Sequence, residues 1–481
     1  MKKWFLPILI FAHLLYLQAL TFYPYPELFT YPYLVTKGFV PYRDILDQHF
    51  PTLLMLPINL WSLGMRTEFS AKLVFFALIV LTHILIYTIA RKLVKKDAFA
   101  LVPSILYVAL QPLFNGSTLW IDTFITPLTI GVVLCIILAI EEGEKGGSRI
   151  KSGMTNFKWW IYTGLLLGIV FTMKQTVAAF VAGILTFLLI RNKTRWGGFV
   201  ALVVSGVPPL LLLFWVYQNN LWTDFSYWTL TFNTHVYSKM AVIYPNFGEL
   251  LRVILIWGSA YLLFFWSKKK SREMVLFFLS SITLSFFAIG RFGLSYLQVA
   301  LPFISLLISV SLFNGNIEMP KKVQQKIGKG NLGIITFIII IIFTFWHMRY
   351  FSRHSQGESY FANATTVKIA EEIKKRVQSN DHIFIFGGNP ILYPLTDTVP
   401  SGNVYTVLVP WNYSVAEDRI LQGLEDDPPK LVVVENETEI DGKKGKDFGK
   451  EVLGYIEENY EKQDEVEGYT FYLYRFPPAR E

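Results

Sequence analysis

Residues 23–51 read YPYPELFTYPYLVTKGFVPYRDILDQHFP. This stretch is the first long polar segment of the chain, and it follows an apolar helix-length run at 3–22. It carries Glu27, Asp44, Asp47 and His49, with Pro24, Pro26, Pro32, Pro41 and Pro51 set among tyrosines. A connector between two membrane helices can be far shorter and needs no such density of acids. The stretch is therefore expected to be a loop that carries chemistry.

The surrounding composition says where such a loop can sit. The chain has 481 residues, 53% of them hydrophobic and only 17% charged, with 40 Phe, 25 Tyr and 13 Trp. Apolar runs recur from Trp4 to His347, many of them reaching the roughly 18 residues that cross a bilayer. Eleven spans are expected, at 3–22, 70–90, 98–113, 119–140, 158–173, 175–190, 197–217, 247–266, 274–290, 294–313 and 332–349. The fold class is thus a polytopic all-α transmembrane bundle. Lysines precede the first apolar run, but no small-x-small cleavage site follows it, so it reads as a retained helix. The segment 51–65, short and Pro-bearing, is expected to be a re-entrant or interfacial helix. Cys135, the single cysteine, lies inside an apolar run and excludes both a disulfide and a Cys-based metal site.

The net charge of +8 reports orientation. With the N-terminus inside, twenty-one lysines and arginines fall in inside segments (around 2–3, 91–96, 145–158, 191–195, 268–272 and 321–329). Outside fall Lys37, Arg43, Arg66, Lys174, Lys239 and Arg291, with Lys72 near a span edge. That asymmetry follows the positive-inside rule and leaves nothing for nucleic acid to explain. Eleven spans put everything beyond Tyr350 outside the plasma membrane. There the composition turns soluble: helix-period segments at 365–379, 416–427 and 446–461 alternate with the strands HIFIFGG, KLVVVEN and YTFYLYRF. This predicts a C-terminal α/β domain over 351–481, beside a membrane module over 1–350 with its first outer loop at 23–69. Gly387–Gly388 follows a strand without a GxGxxG or P-loop, so a lid or acceptor-docking role is expected, not nucleotide binding.

This topology gathers Glu27, Asp44, Asp47, His49, Asp122, Lys174, Gln175, His235 and Arg291 on or near one face. Lys174 and Arg291 each sit in a link of almost no length between apolar runs. Ionisable groups at such depth face a cavity or a partner: they either snorkel or pair with a carboxylate, or they hold a lipid phosphate. Asp44 could cap a short helix at 45–50. Otherwise an acid of this loop could act as general base on an acceptor hydroxyl while phosphate leaves a sugar C1. DxxDxH raises a divalent metal without being a specific signature, and no cofactor is expected. His235 is expected to line a pocket or a loop interior. Asn115, Asn363, Asn412 and Asn436 begin N-x-Ser/Thr triplets.

The segment GFVPYRDILDQHFPTLLMLP, residues 38–57, resembles the first outer loop of GT-C membrane glycosyltransferases of the dolichyl-phosphate-mannose protein mannosyltransferase and aminoarabinose-transferase type (glycosyltransferase families 39 and 83). Lys174–Gln175 in its tight link is similar to that family's pattern, as is Arg291 ahead of the apolar run that reaches Pro302. The resemblance covers nearly the whole chain. It implies an inverting hexosyltransferase that takes a sugar from a polyprenyl-phosphate donor in the bilayer to a protein, lipid or glycan acceptor. The family's Asp-Glu motif is replaced by PYPELF, which leaves Glu27 as the implied base, with Asp122 shaping the acceptor site. Lys174 and Arg291 would hold the donor phosphate, and Arg43, Asp44 and Asp47 would order the loop, with His49, Gln175 and Tyr296 alongside. Where the family often has His-Tyr, this chain has Leu294-Ser295-Tyr296. Two other classes compete: a transporter for a lipid-linked saccharide, which should show internal repeats that are not seen, and a non-catalytic assembly protein, which would tolerate loss of Glu27, Lys174 and Arg291 together.

Overall fold

The computed structural model describes residues 4–94, 98–145, 157–315, 317, 329–355, 359 and 361–475. Among the inside cations, Lys2, Lys3, Lys95, Lys96, Arg149, Lys151, Lys321, Lys322 and Lys326 lie outside the described residues. The chain divides into two compact units that interleave along the sequence. One comprises Met1–Phe22, Lys72–Leu213 and Ile243–Gly357; the other comprises Tyr23–Ala71, Phe214–Val242 and Glu358–Glu481.

The first unit is helical and identifies a multi-pass membrane protein. Among the described residues five helices are long and apolar enough to cross a bilayer: Glu68–Leu93, Ile121–Glu144, Arg195–Gln218, Phe247–Trp266 and Leu294–Asn314. The expected spans at 3–22, 98–113, 158–173 and 175–190 are represented by the shorter apolar helices Phe5–Gln18, Ala98–Phe114, Phe157–Met173 and Gln175–Ile190. The run at 274–290 forms a helix only over Arg272–Ser285, started by Ser271, whose side chain accepts from the Met274 amide. Helix Leu301–Asn314 is buried almost throughout. By contrast Trp196, Phe199, Val203, Leu210, Leu211 and Phe214 are exposed, the surface a helix offers to lipid.

Without a hydrophobic drive between helices in a bilayer, small residues decide which ones approach closely. Gly164 and Gly168 do this on helix Phe157–Met173. A β-carbon at Gly164 would stand 2.7 Å from the Ala201 carbonyl oxygen, and one at Gly168 2.6 Å from the Ser205 carbonyl oxygen and from Pro208. Both clashes involve backbone that cannot step aside. Gly168→Ala should cost about 1–3 kcal/mol, read as a lower melting temperature of the detergent-solubilised protein; an unchanged melting temperature would rule out the close helix contact.

The second unit contains a five-stranded mixed sheet. Its strands are β1 (His382–Phe386), β2 (Val399–Pro400), β3 (Leu431–Glu435), β4 (Tyr460–Val466) and β5 (Tyr469–Tyr474), in the order β2-β1-β3-β5-β4. β1 pairs parallel with β2 and β3, while β5 runs antiparallel to both β3 and β4. The inner strands β1 and β3 are near-continuous apolar runs because both faces are covered. Helices Ala364–Arg376, Pro410–Asp426 and Lys450–Asn459 complete the domain. β4 escaped the sequence reading because residues 461–465 are all polar and exposed, leaving no apolar alternation; it is an edge strand.

The same unit takes in the acid-rich loop. Thr30 donates to the Pro390 carbonyl, and Tyr33 donates to Asp397 at 3.1 Å and to the Thr398 carbonyl at 2.9 Å. Lys37 pairs with Asp397 at 2.7 Å. Further on, the Tyr405 amide donates to the Asp44 carbonyl and the Leu46 amide to the Tyr405 carbonyl, at 2.7 and 2.8 Å. Residues 44–46 thus bond to the segment after β2 much as an added strand does.

Several local expectations are corrected. Residues 51–65 form turns, not a helix, because Pro51 and Pro57 lack amide donors and bar helical backbone in the residues before them. No helix follows Asp44 either; its carboxylate instead turns back to accept from the Val40 amide at 2.7 Å. Conversely, a helix lies at Glu27–Thr36, within the loop. His235 is exposed on a π-helix over Tyr227–Tyr237, not inside a loop.

Candidate active site

Glu27 opens helix Glu27–Thr36, directly after Pro26. A carboxylate in the first turn gains about 0.3–1 kcal/mol from the helix dipole. Burial opposes it and wins: chiefly by desolvation, helped by the negative charge of Asp47, the Glu27 carboxyl is raised from 4.5 to about 7. That rise corresponds to about 3 kcal/mol in favour of the neutral acid. The residue stays partly accessible, but its Oε2 is enclosed and has no hydrogen-bond partner among the described residues.

Asp47 is 3% exposed and is held from three directions. Its Oδ2 accepts from the Tyr31 hydroxyl at 2.7 Å, and its Oδ1 meets the His49 amide at 2.7 Å and His49 Nδ1 at 2.8 Å. Tyr31 stands four residues after Glu27, on the same helix face. The face that presents Glu27 therefore also presents the hydroxyl that anchors Asp47. His49 is fixed in turn through its carbonyl, which accepts from Tyr42 at 2.8 Å.

The recognisable PYRD residues build this arrangement and stand apart from it. Tyr42 is buried with a φ of 67°, a left-handed conformation that is costly for a bulky side chain. The turn is closed by the Asp44 carboxylate and by the Tyr42 amide, which donates to the Ile45 carbonyl at 2.9 Å. Arg43 reaches toward Asp224 at 4.0 Å and the Asn220 carbonyl at 3.3 Å.

The remaining expected residues belong to the helical unit. Lys174 lies in the break between helices Phe157–Met173 and Ala178–Ile190, in extended backbone. It is 7% exposed and pairs at 2.7 Å with Asp122, itself 3% exposed in the first turn of helix Ile121–Lys145. The Phe287 and Tyr296 rings cover the ammonium, with centroids at 4.8 and 4.5 Å, a cation–π enclosure. The lysine thus already has a carboxylate partner. Gln175 beside it is partly exposed. Arg291, also partly exposed, sits where the chain bridges to Ile243: the Ile243 amide donates to the Gly290 carbonyl and the Phe292 amide to the Ile243 carbonyl.

Among the described residues no group of three or more His, Cys, Asp or Glu side chains is placed to hold a metal. The Gly387–Gly388 turn engages an internal carboxylate, Glu435, which accepts from the Gly388 amide at 2.8 Å and the Tyr469 hydroxyl at 3.0 Å. Asn363 caps a helix and Asn412 is buried, so two of the four sequon asparagines are structural. Sequence reasoning missed Tyr31 and Tyr405. Tyr31 was legible in principle, four residues from Glu27, had the proline-rich stretch been read as a helix; Tyr405 carried no local signal.

The family model for dolichyl-phosphate-mannose-protein mannosyltransferase matches residues 55–217. Among curated proteins no sequence matches. In fold the chain is similar to ArnT from Cupriavidus metallidurans bound to undecaprenyl phosphate, with a TM-score of 0.61 at 10% identity over 98% of each chain. It is also similar to the oligosaccharyltransferase AglB from Archaeoglobus fulgidus in complex with an inhibitory peptide and a dolichol-phosphate. There the TM-score is 0.55 at 11% identity, over 99% of this chain and 75% of that one. At these identities the likeness is one of fold: the chain shares the fold of ArnT and AglB, and its residues 55–217 match the mannosyltransferase family model.

Proposed function

We propose that this GT-C-type chain is an inverting glycosyltransferase that moves a sugar from a polyprenyl-phosphate donor to an acceptor hydroxyl outside the plasma membrane. The observation that carries the reading is Glu27: a partly accessible carboxyl with one enclosed, unpartnered oxygen, raised to about 7 beside Asp47. A base tuned near ambient pH is what proton abstraction from a hydroxyl requires. As Glu27 takes that proton, the acceptor oxygen bonds to the sugar C1. The C1–O bond to phosphate breaks, and phosphate leaves with the electron pair. Phosphate is a good leaving group, so one base and cationic stabilisation are sufficient chemistry. The reading assigns the donor phosphate to Arg291, with Gln175 and Tyr296. Lys174 can contribute only by sharing its charge with Asp122, whose assignment therefore shifts from shaping the acceptor site toward tuning that lysine. Arg43, Asp44 and Asp47 order the loop. The positive-inside asymmetry supports an N-terminus in the cytoplasm, with the loop and the C-terminal domain outside.

Mass spectrometry of surface glycans from cells with and without the chain tests this reading. Loss of one sugar from one surface molecule names donor and acceptor class together. An unchanged set of sugars, with lipid-linked saccharide held on the inner leaflet, would establish a transporter instead. The pH dependence is a second test. Glu27 must be ionised to act, so transfer should fall about tenfold for each pH unit below about 7 and level off above it. A rate flat between pH 5.5 and 8 in membrane vesicles would exclude Glu27 as the base.

A further inference from the structure

Two buried polar atoms near the acid cluster lack hydrogen-bond partners among the described residues: Glu27 Oε2 and the Tyr405 hydroxyl. Such atoms are uncommon in folded proteins, and each calls for an explanation. Tyr405 comes from the far end of the sequence, yet its backbone bonds on both sides to Asp44 and Leu46, next to Asp47. Its ring is 5% exposed and meets the Tyr31 ring edge-on at 5.9 Å and the Tyr393 ring at 5.7 Å. Neither neighbour serves its hydroxyl: Tyr31 donates to Asp47, and Tyr393 accepts from the Ile385 amide. Tyr31 shares a helix face with Glu27, so the ring set edge-on against Tyr31 lies beside that same face. The charges of Glu27 and Asp47 both act on the Tyr405 phenol and, with burial, hold it well above the ordinary range. The phenol therefore stays a donor across the working pH range.

We propose that Tyr405 is a further catalytic residue: its hydroxyl donates a hydrogen bond to the acceptor oxygen whose proton Glu27 removes. A single acceptor hydroxyl satisfies both orphan atoms, accepting from Tyr405 and donating to Glu27. The C-terminal domain then contributes directly to the chemistry. This inference rests on the transferase reading above.

The test uses full-length Tyr405→Phe, Glu27→Gln and Tyr413→Phe, each supplied by induction to cells lacking the chain. The initial rate at which the missing surface glycan returns is followed by mass spectrometry, and the melting temperature of each purified protein is measured. Tyr413 is the control: its hydroxyl is also buried and unpartnered, but its ring packs against Phe386 and Phe448. Deleting an unpartnered buried hydroxyl does not weaken a fold. Tyr405→Phe should therefore return glycan at least tenfold more slowly with an equal or higher melting temperature, while Tyr413→Phe returns it at the normal rate. A normal rate for Tyr405→Phe beside an inactive Glu27→Gln overturns the role of Tyr405 and leaves the base in place. A slow rate that tracks a lowered melting temperature also overturns it, in favour of a structural role. Full activity in Glu27→Gln removes the transferase base itself.

Discussion

Glu27→Gln should abolish sugar transfer while the protein folds and accumulates normally. Glutamine keeps the volume of the side chain and removes only its ability to take a proton. Loss of a general base typically costs about 10²–10⁴-fold. The folded state should not suffer, and the sign can be worked out. The Glu27 carboxyl is raised from 4.5 to about 7 in the fold, so between those values the folded chain holds a proton that the unfolded chain has released. Stability from this residue is present at low pH and declines as pH rises through that window. A neutral amide avoids the decline. At pH 8 Glu27→Gln should melt no lower than the parent protein, and the difference between them should vanish near pH 4. Activity lost without stability separates a base from a buried structural acid. If Glu27→Gln transfers sugar at the normal rate, attention moves to Asp47.

Lys174→Met should be the most damaging single change to folding. The ammonium and the Asp122 carboxylate are both almost fully buried at 2.7 Å, and removing one member strands a charge in a low-dielectric interior. Such changes cost about 3–5 kcal/mol, a large share of the 5–15 kcal/mol that holds a typical domain together. The expected result is a steep loss of detergent-stable protein. Removing the opposing charge as well, in Lys174→Met with Asp122→Asn, should recover most of that stability, since the pair offsets its own desolvation and contributes little beyond that. Activity decides the rest. If the double variant folds but transfers nothing, Lys174 or Asp122 has a part in the chemistry beyond their mutual neutralisation. If it folds and transfers normally, the pair is structural and the donor phosphate rests on Arg291.

Much of the architecture could be read from the residues alone because membrane solvation is a one-dimensional constraint. A helix that crosses a bilayer must be apolar along about 18 residues and must satisfy its own backbone. The break at Lys174, between helices Phe157–Met173 and Ala178–Ile190, is visible for that reason. The C-terminal strands β1, β3 and β5 are visible for a related one, as apolar runs bounded by turns. The loop yielded less. Its five prolines concealed helix Glu27–Thr36, although Pro26 just ahead of the helix suits a helix start. Asp44, the most recognisable acid, turned out to close a turn on Val40.

The stretch 23–51 by itself determined that an acid-rich segment exists, that Glu27 is its only acid in the PYPELF half, and that burial of such a group is costly enough to need a reason. Only the tertiary structure decided which groups surround that acid. Tyr31 orients Asp47 because a helix brings every fourth residue to one face. Tyr405 arrives because residues 44–46 bond to a segment some 360 positions further along the chain. Contacts of that range leave no period, run or spacing in the local sequence, since each partner is polar or aromatic for reasons found only in the other.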